Sequence, residues 1–170
     1  MIVSKRKAAM DSMRRQPQRD NDVLSRALKL VRRHRGMTAR AVAKAMHMPL
    51  RTYERFEAGG SRLNIDYIHR FAAATRSDPH AVIMAVAIGS PELAWRSADN
   101  KLVTALTIGG KRLNGLLGDG IAKLDGRAVI LAVCAMYDDL LAENERQEMA
   151  ARWLEKGVAE LTLARPQPGR

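Results

Sequence analysis

The sequence predicts an all-α protein, with five short helices in its first half and a second helical segment after them. Three observations support this prediction. Apolar residues recur at intervals of three and four, which is the spacing of an amphipathic helix. Helix start and stop residues bracket each of these stretches. No stretch alternates apolar and polar residues as a half-buried strand would. The chain has 170 residues, 46% of them hydrophobic, so a packed core is expected.

The first helix follows a basic N-terminal arm. Residues 1–20 carry Lys and Arg against few large apolar residues, which predicts a flexible segment. From Asp22 onward the pattern changes to helical, and Gly36 ends the helix. Its apolar positions are Val23, Leu24, Ala27, Leu28 and Val31.

Four more short helices are predicted before residue 90. Each begins at a residue that favours a helix N-terminus, and the third and fifth stop at glycine. The start residues are Thr38, Pro49, Asn64 and Asp78, and the stops are Gly59-Gly60 and Gly89. The third helix spans 49–58. Together with the first helix, these define a predicted domain over residues 21–89.

A second helical domain is predicted over residues 90–163, because Ser90-Pro91 starts a new helix. Gly118-Asp119-Gly120 breaks this segment, and Asp125 caps an apolar helix over 126–142. A final amphipathic helix lies around Trp153, and residues 164–170 form a disordered tail. Four leucines with the spacing of a helix–helix seam predict a dimerisation surface. They are Leu102, Leu106, Leu113 and Leu116.

The positive charge of the chain is confined to its first half. Residues 1–90 hold 18 Lys and Arg against 7 Asp and Glu, whereas residues 91–170 hold 11 of each, and the total is +11. A localised positive surface is typical of docking to a polyanion. Proteins that bind membrane surfaces share this feature, so charge alone favours nucleic acid only modestly.

The third predicted helix has the pattern of a recognition helix. Tyr53 and Phe56 lie on one side of it, and Arg51 and Arg55 lie on the opposite side. Charged faces are ordinary on surface helices. Here, however, a short helix and a tight turn precede the arginines, which matches helix-turn-helix geometry. Arg bidentate to guanine is the commonest specific contact in the major groove, and Leu50 suits a thymine methyl. We therefore predict base contacts from Leu50, Arg51 and Arg55.

Several residues of this segment follow the pattern of a known family. They are Gly36 before Thr38, Ala43, the turn "MHMP", Tyr53 and the stretch "FEAGGSRLN". On these residues, segment 23–88 resembles the five-helix, lambda-repressor-like DNA-binding domain of the Cro/cI-like (Xre-type) regulators. His47 stands where the family usually has glycine, and His tolerates a left-handed conformation. Leu50 and Arg51 replace residues that are often polar in the family, so no DNA sequence carries over.

The resemblance implies roles for further residues. Arg32 and Glu57 match a structural ion pair between the first helix and the end of the recognition helix. Phosphate contacts are implied at the start of the motif's first helix and in the loop after the recognition helix, and we assign Lys44 to the same role. These residues are Thr38, Arg40, Lys44, Ser61 and Arg62. In the arm, Lys5, Arg6 and Lys7 fit either the minor groove or a solubilising tail.

The expected function is sequence-specific binding of double-stranded DNA by a homodimer, on an inverted repeat, to regulate transcription. One helix-turn-helix unit contacts about half a site, which favours a dimer. Two alternatives remain for residues 91–163. They close the domain's own core, or they capture another protein, as in an antitoxin-type regulator. A ligand sensor is a third possibility, but no polar cluster in this half suggests a pocket.

Other classes of protein are disfavoured. No HExxH, GxxxxGK[ST] or GxSxG motif indicates an enzyme. The single Cys134 and four scattered histidines give no metal-ligand spacing, and no cofactor is expected. RNA fits the charge but not the motif. No signal-peptide pattern is visible and the apolar run 128–137 is too short to span a bilayer, so a cytoplasmic location without a membrane partner is expected.

Overall fold

The structure, a computed structural model, describes the backbone of residues 2–60 and 63–163 and the side chains of residues 18–60 and 63–158. All regular structure in this part of the chain is helical, so the predicted all-α fold class is confirmed. The helices are α1 (Ile2–His34), α2 (Ala39–Ala45), α3 (Leu50–Glu57), α4 (Ile65–Thr75), α5 (Pro79–Ile88), α6 (Glu92–Arg96), α7 (Leu102–Leu117), a 3-10 helix (Gly118–Lys123) and α8 (Gly126–Leu163).

The chain forms two compact units, Met1–Leu116 and Leu117–Arg170. The sequence placed a domain boundary at 89–91, where the charge changes. The first unit continues past that point because α6 packs against α1 and α5. Ala94 of α6 is fully buried in the same core.

The core of the first unit is formed by side chains from α1 to α6. It contains Leu24 and Leu28 of α1, Tyr53 and Phe56 of α3, and Phe71 of α4, all at most 1% exposed. The ring of Phe56 packs edge-on against that of Phe71, with centroids 6.4 Å apart. Burial of each large apolar side chain contributes about 1.5–3 kcal/mol. The packing of Tyr53 and Phe56 in this core therefore fixes the position of α3.

Local signals place the starts of the helices. Thr38 is the N-cap of α2, and its Oγ1 accepts a hydrogen bond from the Ala41 amide at 3.1 Å. Asn64 and Asp78 cap α4 and α5 through their side chains in the same way. Such caps satisfy amides that have no partner within the helix.

Two helices are longer than the sequence pattern indicated. Backbone helix starts at Ile2, so residues 2–20 of the predicted arm lie within α1, whereas the side chains of Lys5, Arg6 and Lys7 are outside the described residues. Lys, Arg, Ala and Met are strong helix formers and are frequent in residues 2–16, and the helix continues through Pro17. Helix α8 joins the two helices predicted after Asp125, because neither glycine nor proline interrupts residues 127–156. The predicted tail 164–170 is outside the described residues.

Candidate nucleic-acid interface

The turn between α2 and α3 reverses the chain in four residues, Met46 to Pro49. His47 has φ of 50°, in the left-handed region that histidine tolerates. The amide of His47 donates to the Lys44 carbonyl and that of Met48 to the Ala43 carbonyl, both at 3.0 Å. These bonds satisfy the last carbonyls of α2 and allow α3 to begin directly after Pro49.

Arg70 of α4 anchors this turn through hydrogen bonds, a role that the sequence did not predict. Its guanidinium donates to the carbonyl oxygen of Met46, and also to that of His47 at 3.3 Å. No local pattern predicts this contact, because the partners are 24 residues apart in the chain. The helix-turn-helix is therefore attached to α4 by hydrogen bonds as well as by apolar packing.

A buried network attaches α3 to α1. Arg32 donates from Nε to Glu57 Oε1 at 2.5 Å and from Nη2 to Glu57 Oε2 at 3.1 Å. The Tyr53 hydroxyl donates to Glu57 Oε1 at 2.8 Å, and Arg32 Nη1 also donates to the Met37 carbonyl at 3.1 Å. The residues that the family resemblance paired thus meet, and a tyrosine joins them.

The protonation states of this network are fixed by its surroundings. The hydrogen bond to Glu57 raises the pKa of Arg32 above its ordinary value. Burial, followed by the hydrogen bond to Glu57, raises the pKa of Tyr53. Tyr53 therefore stays neutral and Arg32 stays charged at physiological pH, which keeps both as donors to the carboxylate.

Gly59 closes the end of α3 against α1. Its φ is 73°, and a Cβ built on it would lie 2.5 Å from the backbone oxygen of Asn21. A side chain at this position would overlap the backbone of α1. Glycine is thus required here both for its left-handed conformation and for the close approach.

The outer face of α3 and α2 is polar and exposed. Arg51 and Arg55 of α3 and Arg40 and Lys44 of α2 are all exposed, with Glu54 between the two arginines of α3. Among the residues that the structure describes, the side chains of Arg40, Lys44 and Arg51 have no hydrogen-bonding or ion-pair partner. Arg55 Nε donates to the Gly60 carbonyl, at a long 3.4 Å. The helix-turn-helix thus presents cationic groups that the fold does not use.

The other predicted contact residues have mixed surroundings. Leu50 is half-buried and packs against the core, so only part of its side chain faces outward. The Oγ1 atom of Thr38 accepts the N-cap hydrogen bond of α2, and the residue remains exposed to solvent. Ser61 and Arg62 lie outside the described residues.

The predicted dimerisation leucines divide into two pairs. Leu102 and Leu106 are half-buried in the first compact unit. Leu113 is 48% exposed and Leu116 is 75% exposed. The first pair therefore contributes partly to the unit's own packing, and only the second pair is an open apolar surface of α7.

Two absences concern the described residues only. No cluster of three or more His, Cys, Asp or Glu side chains among them could hold a metal ion. None of the described helices combines the length and apolarity needed to cross a membrane.

Comparison with known proteins identifies one segment. Residues 23–82 match a family model described as a helix-turn-helix domain. The match covers α2, α3 and α4 completely, together with the part of α1 that contributes Arg32. Neither a curated protein nor a solved structure matches the chain.

Proposed function

Because residues 23–82 are a helix-turn-helix domain, which indicates a DNA-binding regulator, we propose that the protein is a homodimeric regulator of transcription in the cytoplasm that recognises a specific sequence of double-stranded DNA. In this proposal α3 enters the major groove. Leu50, Arg51 and Arg55 contact base edges, and residues of α2 contact phosphate.

The use of the arginines supports this proposal. Arg32 and Arg70 each hold part of the fold, through Glu57 and through the turn carbonyls. Arg40 and Arg51 are exposed, and the described part of the chain gives their side chains no partner. A guanidinium presents donors in a fixed fork that matches guanine or phosphate. In this proposal Arg51 reads DNA from the outer face of α3, and Arg40 contacts the DNA backbone from α2.

Arg51 and Arg40 are assigned different tasks. Arg51 is in the first turn of α3, the part of a recognition helix whose residues contact base edges. Arg40 and Lys44 lie on α2, the helix that crosses the DNA backbone in this motif. Loss of Arg51 should change sequence preference, whereas loss of Arg40 should weaken binding to every sequence alike.

A dimer is proposed because one motif covers about half a site. Two α3 helices would occupy successive major grooves about 34 Å apart, and the site would be an inverted repeat. Contacts to phosphate would provide a large share of the affinity and a steep dependence on salt. Residues 91–163 are proposed to join the two chains.

The experiment is selection of bound duplexes from a random DNA pool at about 150 mM salt, near the physiological range. The wild-type chain is expected to enrich an inverted repeat. Arg51→Ala is expected to cost about 1–3 kcal/mol and to relax preference at one base position of each half-site. Arg40→Ala is expected to keep the same motif and to lower the salt slope by about 1.

Arg112→Ala is the matched control, because it removes an exposed arginine from α7, outside the helix-turn-helix. It should leave the selected motif unchanged. Equal losses of affinity for selected and random DNA in Arg51→Ala would refute the base-reading role. Absence of any enriched motif would refute sequence-specific recognition.

A second candidate function is capture of another protein by the second half of the chain, as in an antitoxin-type regulator. The exposed apolar side chains of α7 and α8, such as Leu116 and Trp153, favour this candidate. A chain that stays monomeric at micromolar concentration would support capture and contradict the homodimer. Sedimentation of the purified protein distinguishes the two.

A further inference from the structure

Helix α8 of the second compact unit leaves its apolar side chains uncovered. None of its described residues is buried, and Ile130, Leu140 and Leu154 are 64%, 46% and 60% exposed. Helices in water obtain most of their stability from packing an apolar face. Many exposed large apolar side chains along one helix mark an interaction site. A helix of 38 residues with this surface therefore needs a second surface to cover it.

The pattern along α8 is a heptad repeat, in which positions a and d alternate at intervals of three and four. The a positions are Ile130, Tyr137, Asn144, Ala151 and Val158, and the d positions are Val133, Leu140, Gln147 and Leu154. This repeat is the pattern of a coiled coil. The a and d side chains form one stripe along the helix, so they can pack against the a and d side chains of a second helix.

The polar residues of the stripe lie near its centre. Asn144 is an a position and Gln147 is the next d position, with apolar a and d residues on both sides. In an antiparallel pair, a positions of one helix meet d positions of the other. When the two central residues are placed opposite each other, Tyr137 meets Leu154 and Leu140 meets Ala151 across the pair. The stripe of one helix is thus complementary to the same stripe of an antiparallel second copy.

Hydrogen bonding at the centre is compatible with this arrangement. Asn144 Nδ2 donates to Glu148 Oε1 at 3.0 Å and Gln147 Nε2 donates to Glu143 Oε1 at 3.1 Å, both within the helix. Each amide keeps a second N–H and its carbonyl oxygen. Two such amides facing each other can exchange a donor and an acceptor. A buried polar pair of this kind fixes register.

Size and charge favour the antiparallel direction over the parallel one. In a parallel pair Ala151 would face Ala151 and leave a gap, whereas the antiparallel pair places it against the larger Leu140. A parallel pair would also bring Glu143, a g position, beside Glu148, an e position of the other helix. These like charges would repel. The antiparallel pair places Glu143 near Ala150 instead.

We propose that α8 pairs with α8 of a second copy as an antiparallel coiled coil, in which Asn144 of one subunit faces Gln147 of the partner subunit. This inference rests on the proposed homodimer and names the face through which it forms. The pairing is isologous, so the same contacts occur twice about a two-fold axis.

Disulfide cross-linking tests both the face and the direction. In a Cys134→Ser background, which removes the single native thiol, two variants are made, Leu140→Cys and Ala151→Cys. A disulfide needs Cα atoms within about 7 Å. In the proposed pair position 140 faces position 151, while the two copies of position 140 are offset by eleven residues, about 16 Å along the axis. Ala135→Cys is the control, because it occupies the outward f position.

Cross-links are expected when the Leu140→Cys and Ala151→Cys chains are co-produced, and only background cross-linking is expected for each variant or the control alone. Efficient cross-linking of Leu140→Cys by itself would indicate a parallel pair and overturn the proposal. No cross-link in a protein that sediments as a dimer would overturn it too, but would leave the homodimer intact. A monomer by sedimentation would overturn both, while the effect of Arg51→Ala on DNA binding would still stand or fall by itself.

Discussion

Replacement of Gly59 by alanine should disrupt the attachment of α3 to α1 much more than an ordinary glycine substitution would. Gly36 provides the matched comparison. Its φ of 62° is close to the 73° of Gly59, but nothing lies within 4 Å of the Cβ that it would carry. The two variants therefore share the conformational cost and differ in the steric one.

The expected magnitudes follow from these two costs. A left-handed conformation costs an alanine about 1–2 kcal/mol. The lower entropy of the unfolded chain returns about 0.4–1 kcal/mol. Gly36→Ala should therefore destabilise by about 1 kcal/mol. Gly59→Ala adds an overlap at 2.5 Å between the new Cβ and the Asn21 oxygen, a backbone atom that cannot rotate away as the end of a side chain could. Forced overpacking costs about 1–3 kcal/mol more, which gives a total of about 2–4 kcal/mol.

Urea unfolding measures the difference if the signal comes from the first compact unit alone. Trp95 lies in that unit and Trp153 in the other, so a Trp153→Phe background leaves fluorescence from Trp95 only. The midpoint for Gly59→Ala should lie well below that for Gly36→Ala. Equal midpoints would refute the steric argument and would mean that α1 moves away from α3 at little cost.

Three further predictions concern the remaining attachments of the fold. Arg32→Met should destabilise the first unit by about 3–5 kcal/mol in the same assay, because it leaves the buried Glu57 carboxylate without its ion-pair partner. A loss below about 1 kcal/mol would mean that the pair contributes no more than a solvent-exposed ion pair does. Burial would raise the pKa of Asp78, but hydrogen bonds from Thr104 and from backbone amides lower it below its ordinary value. The ionised Asp78 carboxylate therefore stabilises the fold above about pH 4, the pKa in the unfolded chain, and this stabilisation is lost as pH falls toward the folded pKa. Asp78→Asn should reduce the pH dependence of the urea midpoint below pH 4. An unchanged pH dependence would contradict this. Arg70→Ala should speed amide hydrogen exchange in residues 46–48 and 50, since the turn carbonyls lose their donor. Unchanged exchange would show that apolar packing alone holds the turn.

The sequence predicted most of what local chemistry determines. Thr38, Asn64 and Asp78 could be recognised as N-caps because their side chains bond to amides two or three residues ahead. The inward positions of Tyr53 and Phe56 followed from helical spacing, and both are fully buried. Such features depend on neighbours in the chain, so a sequence pattern is sufficient to find them.

The features that the sequence did not reveal depend on distant partners. Nothing near Arg70 distinguishes it from an exposed arginine, and its contacts with the turn exist only once α4 lies beside α2. Gly59 could be predicted to end a helix, but not to touch the backbone of Asn21, which is 38 residues earlier in the sequence. The first compact unit extends beyond residue 90 for the same reason, since α6 is held by α1.

The attachments of α3 have a consequence for how such a protein can diversify. The inner residues Tyr53, Phe56 and Glu57 anchor the helix, and Arg51 and Arg55 on the outer side do almost nothing for folding. Exposed outer residues such as Arg51 can therefore be exchanged for other helix-forming residues at little cost to the stability of the scaffold. A lineage of such chains is free to acquire new binding sites one surface substitution at a time, without first repairing its fold.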